Sequence, residues 1–255
     1  MLDIIKWGDP KTSQNWIIGD SKKDWKKNCK QKGSTWAYYS ADDIEYKHNS
    51  YGYRTEEFED LDWAKSTLFF GCSHIYGVGN YLKDTVPVLY SNIAKCPVIN
   101  MGINAGNIEA LHHNTHALIE HNFIPKQVII FWPYVVRQLY YKGLKFNSKF
   151  VPRFLGPWGS PFDDDKRYYH YAVLNAENYI TKSYLLKKSI VDVWRLQGVK
   201  VYTFAFNDKI QHLGEFRYGC PKLPEVKDFA RDTFHYGHET NTSYAEYIHK
   251  YITRS

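Results

Sequence analysis

A short apolar run that ends in a glycine-bounded turn constrains this chain more than any other feature. Residues 67–70 read Thr-Leu-Phe-Phe, which favours a β-strand, and Gly71-Cys72-Ser73 follows at once. A buried strand that ends in such a turn exposes one side chain at the edge of a sheet, which is how a weak hydroxyl nucleophile is presented to a base. Ser73 is therefore a candidate nucleophile, although a Gly-x-Ser sequence after a strand is more often only a turn.

Two later segments contain what such a serine needs. Val98–Asn107 is a second apolar run that enters a glycine-rich turn, with Gly106 falling 33 positions after Ser73. Near the C-terminus, Asp232 and His235 stand three residues apart in Asp-Thr-Phe-His. An imidazole takes up the hydroxyl proton near neutral pH, and a carboxylate holds that imidazole in the right tautomer.

The order of these blocks resembles that of the SGNH (GDSL-type) hydrolase superfamily over roughly residues 49–252. Gly-Cys-Ser in place of Gly-Asp-Ser, with the stretch Asn49–Arg54 upstream, is similar to a variant found in bacteria and bacteriophages. The resemblance implies a three-layer α/β/α, flavodoxin-like parallel sheet and a reaction without metal or cofactor. It also implies a Ser73–His235–Asp232 triad and an oxyanion hole formed by the backbone N–H groups of Ser73 and Gly106.

The third block departs from this pattern. The superfamily has a Gly-x-Asn-Asp turn after the third strand, whose asparagine donates to the oxyanion, whereas this chain has Phe131-Trp132-Pro133-Tyr134. A missing donor costs about 10²–10³ in rate. Four nearby side chains are candidates to replace it or to contact substrate: Asn104, Asn107, Tyr134 and Arg137. Two more candidates for substrate contact are Arg54 and His74, each of which has a structural role as its alternative.

Other residues compete for these roles. Trp16–Ser21 carries a literal Gly-Asp-Ser, but no glycine-rich strand follows Ser21 at a matching distance. His238 is a rival base, although the Asp-x-x-His spacing favours His235. His112 and His116 lie i, i+4 on a predicted helix, a metal-binding spacing, but exposed polar residues are the simpler interpretation and no metal site is expected.

Apolar runs that alternate with helical stretches predict a mostly parallel sheet covered on both faces. We expect strands at 67–71, 97–102, 127–132 and 200–206, and helices at 86–95, 107–121, 171–197 and 224–231. A final helix is expected after the Asp232–His235 turn, ending at about residue 252. Residues 1–60 are expected to form an N-terminal extension that packs on the SGNH-hydrolase-like domain of residues 61–255. The stretch 142–170 is rich in glycine and proline and is predicted to be an insertion.

Charge, cysteine usage and hydropathy argue against several classes of protein. The formal charge is +6, much of it in the run Lys22–Lys32, which reads as a solvated helix face or an anion-binding patch. No nucleic-acid-binding motif accompanies the run, so a nucleic-acid partner is not expected. The four cysteines form no Cys-x-x-Cys pair, so a zinc ribbon is not expected. Because the first residues lack a signal-peptide core and no run reaches about 20 apolar residues, we expect a cytoplasmic protein without a membrane partner.

The expected function is that of a serine esterase or acyl hydrolase on a small-molecule or glycan ester. An O-acetylated sugar is the first substrate to test, because 22 tyrosines and 8 tryptophans offer stacking surfaces. The alternative is a non-catalytic glycan-binding or virion-associated structural protein on the same fold, which the altered third block favours.

Overall fold

Strands and helices alternate along most of the chain. The computed structural model describes residues 2–5, 8–32, 43–134, 137–142, 151–155, 176–206 and 220–254. The strands are β1 (Ser13–Gln14), β2 (Tyr46–Lys47), β3 (Thr67–Gly71), β4 (Val98–Gly102), β5 (Gln127–Trp132), β6 (Gln138–Lys142), β7 (Val151–Leu155) and β8 (Lys200–Ala205). The helices are α1 (Lys22–Lys32), α2 (Ser73–Tyr76), α3 (Val86–Ala94), α4 (Ile108–Glu120), α5 (Ala176–Leu196) and α6 (His238–Arg254). Single 3₁₀ turns lie at Phe58–Asp60, Trp63–Lys65 and Leu82–Asp84.

Within the described residues, the central sheet has four parallel strands in the order β4-β3-β5-β8. Strand β3 lies inside the sheet, with Phe70 opposite Met101 on one side and Ile130 on the other. This order is the flavodoxin-like one, in which ligands bind beyond the carboxyl ends of the strands where the strand order reverses. The predicted fold class is confirmed, and all four predicted strands form within a residue of their expected bounds.

Helices cover both faces of the sheet because the strands are apolar on both sides. On one face, Leu68 and Phe70 share a buried cluster with residues of α4 and α5. On the other, Phe69 and Phe131 share a second cluster with residues of α3 and α6. Neighbouring residues of a strand point to opposite faces, so β3 contributes to both cores and the molecule has three layers.

Residues from the predicted N-terminal extension contact the core directly. Ile4 and Ile5 are buried in the same cluster as α4. The Ile5 N–H donates to Asn114 Oδ1 at 2.8 Å, and the Tyr53 hydroxyl donates to the Ile5 carbonyl at 2.6 Å. Strands β1 and β2 pair as a short antiparallel ribbon. A domain boundary near residue 60 stays a prediction.

The helix predicted at 224–231 does not form. Its residues are extended or in turns, and an antiparallel bridge joins Phe229 to Tyr236. The Asp228 carboxylate accepts the Glu239 and Thr240 N–H groups at 3.1 and 2.9 Å, so it caps α6. The bridge and these bonds to the N-terminus of α6 hold the segment in a non-helical conformation, so it does not form a helix of its own.

Parts of two further predictions lie outside the described residues. Of the predicted insertion at 142–170, the structure describes Lys142 and β7, which pairs with β6 as an antiparallel hairpin. The long helix predicted from 171 is described from Ala176 onward as α5. Among the described helices, none combines the length and the apolar character that crossing a bilayer requires.

Candidate active site

Ser73 stands at the carboxyl edge of the sheet, where β3 turns into α2. Strand β3 ends at Gly71, and Ser73 opens the four-residue helix α2, which Gly77 closes in a left-handed conformation (φ +84°). A Cβ atom on Gly71 would lie 2.4 Å from Ile75 Cγ1, so this tight strand-to-helix turn requires glycine. The Ser73 side chain is 3% exposed. The serine therefore lies in a strand-to-helix turn, and its role as a nucleophile stays a prediction.

The Asp232–His235 turn forms an acid–imidazole pair. Asp232 Oδ1 accepts the backbone N–H groups of Phe234 and His235 at 3.2 and 3.1 Å, and His235 Nδ1 donates to Asp232 Oδ2. Because an ionised carboxylate only accepts, Nδ1 carries the proton of this bond, and in the neutral imidazole the lone pair is on Nε2. Thr233 adopts φ +70°, which is strained for a β-branched residue and is typical of functional turns.

The serine segment and the histidine segment are in contact. The ring of His74, directly after the serine, lies 4.8 Å from the ring of His235. Asn80 Nδ2 donates to the Tyr236 carbonyl at 3.0 Å. A Cβ on Gly79, which has φ +73°, would come within 3.1 Å of Asp232 Oδ1. The two segments, about 160 residues apart in the chain, therefore meet at one edge of the sheet.

His74 is a packing residue with a buried imidazole rather than an exposed wall of a cleft. It is 8% exposed and lies 4.6 Å from the Phe206 ring and 4.3 Å from the Tyr236 ring, measured between ring centroids. Burial, and then the charges of His235 and Arg137, hold the pKa of His74 well below its ordinary value. The side chain is therefore neutral at pH 7.

Gly106 lies beside the end of β3, but its N–H group already has a partner. It donates to the Ile103 carbonyl at 2.8 Å, closing a turn. A Cβ on Gly106 would be 3.3 Å from the Gly71 carbonyl oxygen, which shows how closely this turn approaches the nucleophile strand. To donate to an oxyanion, the Gly106 N–H would have to leave or share the Ile103 carbonyl.

Two of the candidates for the missing donor lie on the Gly106 side of the site. Arg137 Nη1 donates to the Gly106 carbonyl at 3.4 Å, and the guanidinium carbon lies 4.7 Å from the centroid of the half-buried Tyr134 ring. The structure therefore brings Arg137 and Tyr134 to the expected side of the site, after β5.

The two asparagines of the Gly106 loop differ in what their amides contact. Asn104 Nδ2 donates to the Ile18 carbonyl at 2.7 Å, so it ties this loop to the N-terminal segment. Asn107 is fully buried, and its Oδ1 accepts the Ala110 N–H at 2.9 Å as the N-cap of α4. This bond fixes which atom is oxygen, and the Nδ2 amide of Asn107 has no partner among the described residues.

Arg54 does not contact substrate, contrary to one of the two sequence interpretations. It is 2% exposed, and its guanidinium donates to the carbonyls of Gly77, Asn80 and Glu45 at 2.9, 3.0 and 2.8 Å. Three backbone acceptors on a fully buried side chain leave no face for a ligand. Arg54 instead fixes the loop that follows the nucleophile.

A buried hydrogen-bond network that the sequence did not predict holds Arg231, the residue directly before the triad turn. Arg231, directly before Asp232, donates through Nε and Nη2 to both carboxylate oxygens of Asp20, the shortest bond measuring 2.5 Å. The Tyr46 hydroxyl donates to the same carboxylate at 2.5 Å and accepts the Gly79 N–H at 2.8 Å. Asp20 and Arg231 are 211 positions apart, so no local pattern could reveal their pairing.

The literal Gly-Asp-Ser of the N-terminal segment is therefore structural. Its aspartate is the partner of Arg231, and its serine caps α1. Ser21 Oγ accepts the Asp24 N–H at 3.1 Å and donates to the Asp24 carboxylate at 2.6 Å. Rejecting Ser21 as the nucleophile agrees with this geometry.

The rival histidines have other neighbours. His238 Nδ1 lies 3.0 Å from Asp84 Oδ1, at the start of α6. His112 Nε2 lies 3.1 Å from Ser189 Oγ and 3.3 Å from His116 Nε2. Among the described residues, no group of three or more histidine, cysteine or acidic side chains is arranged to hold a metal ion.

Comparison with known proteins gives a likeness at the level of shape. No family model matches the chain, and no curated protein does. One similar solved structure is described as a lipolytic protein of the G-D-S-L family from Desulfitobacterium hafniense DCB-2. It has a TM-score of 0.37 and 13% identity, and the match covers 73% of this chain and 98% of that one. At that TM-score the match carries no weight for activity, so the chemistry rests on the residues of the site itself.

Proposed function

We propose that this protein is a serine hydrolase of carboxylic esters, with Ser73, His235 and Asp232 as its catalytic triad. The observation that carries the proposal is the Asp232–His235 pair, packed through His74 and Gly79 against the helix that begins at Ser73. The resemblance of the sequence blocks to the SGNH superfamily supports the same assignment.

The reaction follows from the hydrogen bond that orients the imidazole. Ser73 Oγ attacks the ester carbonyl while His235 Nε2 takes its proton, and Asp232 stabilises the imidazolium that forms. The tetrahedral intermediate collapses, His235 gives the proton to the departing alcohol, and an acyl-enzyme on Ser73 remains. Water then attacks the acyl carbonyl while His235 takes its proton. The second tetrahedral intermediate collapses as the bond to Ser73 Oγ breaks, His235 returns the proton to Ser73 Oγ, and the carboxylic acid leaves. Each step moves one proton among serine, imidazole, water and leaving group, so no metal or cofactor is required.

The oxyanion that forms needs donors, and Asn107 is the best-supported side-chain donor. Its Nδ2 amide is buried without a partner next to Gly106, whose own N–H donates to Ile103. A buried donor without an acceptor costs about 1–3 kcal/mol, so such a group calls for an explanation. We infer that Asn107 supplies, together with the Ser73 N–H, the amide that the third block lacks.

An O-acetylated carbohydrate remains the first substrate to test. The side chain of Phe234, between Asp232 and His235, is 79% exposed. An exposed aromatic ring in the triad turn offers a surface on which a sugar ring can stack. A short acyl group also suits a serine that is 3% exposed.

The second candidate function is glycan binding without catalysis, including a role in a virion, on the same fold. The engaged Gly106 N–H and the altered third block favour it. It keeps the exposed Phe234 as a contact but assigns no chemistry to Ser73.

The two functions separate in one experiment on p-nitrophenyl acetate. We expect Ser73→Ala to reduce kcat/KM by at least about 10⁴-fold because the nucleophile is lost. Ser21→Ala is the matched control. It removes a helix cap worth about 1 kcal/mol and should leave activity at the wild-type value. Equal hydrolysis by the wild type and Ser73→Ala, in protein shown to be folded by circular dichroism, would overturn the proposal.

A further inference from the structure

Helix α1 presents one continuous cationic face to solvent. Six lysines and one aspartate fall within its eleven residues, in a chain whose formal charge is +6. At about 100° per residue, five of these lysines fall within an arc of about 140°. We call them the lysine arc, and all five are exposed: Lys22, Lys23, Lys26, Lys27 and Lys30.

The opposite face of α1 packs against the segment that leads into the triad turn. Asn28 Nδ2 donates to the Arg231 carbonyl at 3.4 Å. The Trp25 ring lies 6.3 Å from the Trp16 ring, and the Arg231 guanidinium stacks over Trp16 at 3.9 Å. Because Arg231 directly precedes Asp232, the helix is fixed beside the candidate active site with its lysine arc facing outward.

An exposed aromatic ring belongs to the same region. Phe234 is three residues after Arg231 and is among the most exposed large apolar side chains of the described part of the chain, at 79%. A cationic face and an exposed aromatic ring that adjoin one site match a ligand with many negative charges and with apolar ring faces. Acidic polysaccharides have both properties.

We propose that the lysine arc binds an acidic polysaccharide whose O-acetyl group is presented to Ser73. The inference rests on the proposed function and names its substrate class. A polymer that places one residue at the triad would run past Phe234 and over α1, where its carboxylates meet several lysines at once. Each exposed contact is weak, but a chain of contacts raises the effective affinity and accelerates encounter.

The test compares chemically O-acetylated alginate, which is acidic, with O-acetylated dextran, which is neutral, by measuring acetate release. We expect the wild type to have a ratio of kcat/KM values that favours alginate at low salt and that falls as NaCl increases. The arc variant carries K23Q, K26Q and K27Q, which remove three charges of the lysine arc. It should lower this ratio of kcat/KM values by about tenfold.

A matched control removes the same charge from exposed lysines elsewhere. The control carries K126Q, K200Q and K250Q. Lys126 directly precedes β5, Lys200 is the first residue of β8, and Lys250 lies in the last turns of α6; all three are exposed. This control should keep the wild-type ratio. An equal fall in both variants, or equal efficiency on both polymers in the wild type, would overturn the proposal.

Binding to alginate without acetyl groups separates this inference from the proposed function. Salt-sensitive co-sedimentation that the arc variant loses supports the lysine arc even if no ester is hydrolysed. If the arc variant instead loses binding only to phosphatidylserine vesicles or to single-stranded DNA, the glycan assignment fails and the arc belongs to lipid or nucleic acid.

Discussion

Asn107 combines two tasks in one side chain, and each can be removed separately. Its oxygen caps α4, and its amide has no partner among the described residues. Asn107→Ser and Asn107→Asp both keep a capping oxygen and lose the amide. We expect each to lower kcat about a hundredfold with KM little changed, and Asn107→Ser to keep the melting temperature. Asn107→Asp buries a carboxylate and should also lose stability. Wild-type kcat in both variants would show that Asn107 is only a cap.

His74 makes the stability of the protein depend on pH. Its pKa in the folded protein lies well below the 6.5 of an ordinary histidine, chiefly because it is buried. Between these two values the unfolded chain binds a proton that the folded protein does not. The free energy of unfolding should therefore fall as the pH drops below about 6.5, by at most about 1.4 kcal/mol per pH unit from this group.

His74→Phe removes this titration while keeping a ring between Phe206 and Tyr236. Urea unfolding between pH 7 and pH 5 should show a smaller loss of stability in the variant than in the wild type. From pH 7 to pH 9, where His74 is neutral in both states, the two curves should run parallel. Parallel curves at acid pH as well would contradict the assigned burial.

At the level of residues, the sequence predicts positions better than partners. Ser73, Asp232 and His235 could be found because each stands in a short local pattern. Arg54 could not be assigned, since its three carbonyl acceptors come from residues 45, 77 and 80 and form only in the fold. The engaged N–H of Gly106 likewise depends on how its turn closes.

The contact between the N-terminal segment and the triad turn depends on the buried Asp20–Arg231 pair. Both side chains are at most 1% exposed, so neither has access to water if its partner is removed. Asp20→Asn keeps the shape but leaves the Arg231 charge uncompensated, which typically costs about 3–5 kcal/mol. We expect a loss of that size in urea unfolding, together with lower kcat because Asp232 follows Arg231 directly.

An exposed ion pair provides the control for this prediction. Asp62 bonds to Lys65 at 2.7 Å, with both side chains at least half exposed. Asp62→Asn should leave stability and kcat unchanged. If Asp20→Asn behaves like Asp62→Asn, the buried pair does not hold the triad turn.

Among the elements, those with strong local patterns were predictable. The four central strands are continuous apolar runs, and the amphipathic helices follow their 3.6-residue period. The segment 224–231 is predicted to be a helix, but Phe229 forms a β-bridge with Tyr236 and the Asp228 side chain caps α6. The N-terminal segment could not be placed because its contacts reach residues more than 100 positions away.

At the scale of the whole molecule, one parallel sheet lies between two layers of helices. The segments that carry the candidate triad come from distant parts of the chain and lie at the carboxyl edge of this sheet. Parallel strands bring their carboxyl ends to one edge, which is why Ser73 and Gly106 were expected together. The sequence could not show that the N-terminal segment reaches the same edge. There Asp20 and Asn28 contact Arg231, directly before the triad turn, and Tyr46 contacts Gly79, in the loop after α2. That contact also brings the lysine arc beside the site.

The most direct test of this assignment is labelling with a fluorophosphonate, followed by intact mass measurement and peptide mapping. We predict one adduct per chain, located on Ser73 and absent from Ser73→Ala and from His235→Ala, while Ser21→Ala labels like the wild type. Folded wild-type protein that takes up no label, or an adduct on Ser21, would contradict the assignment of Ser73 as a nucleophile activated by His235.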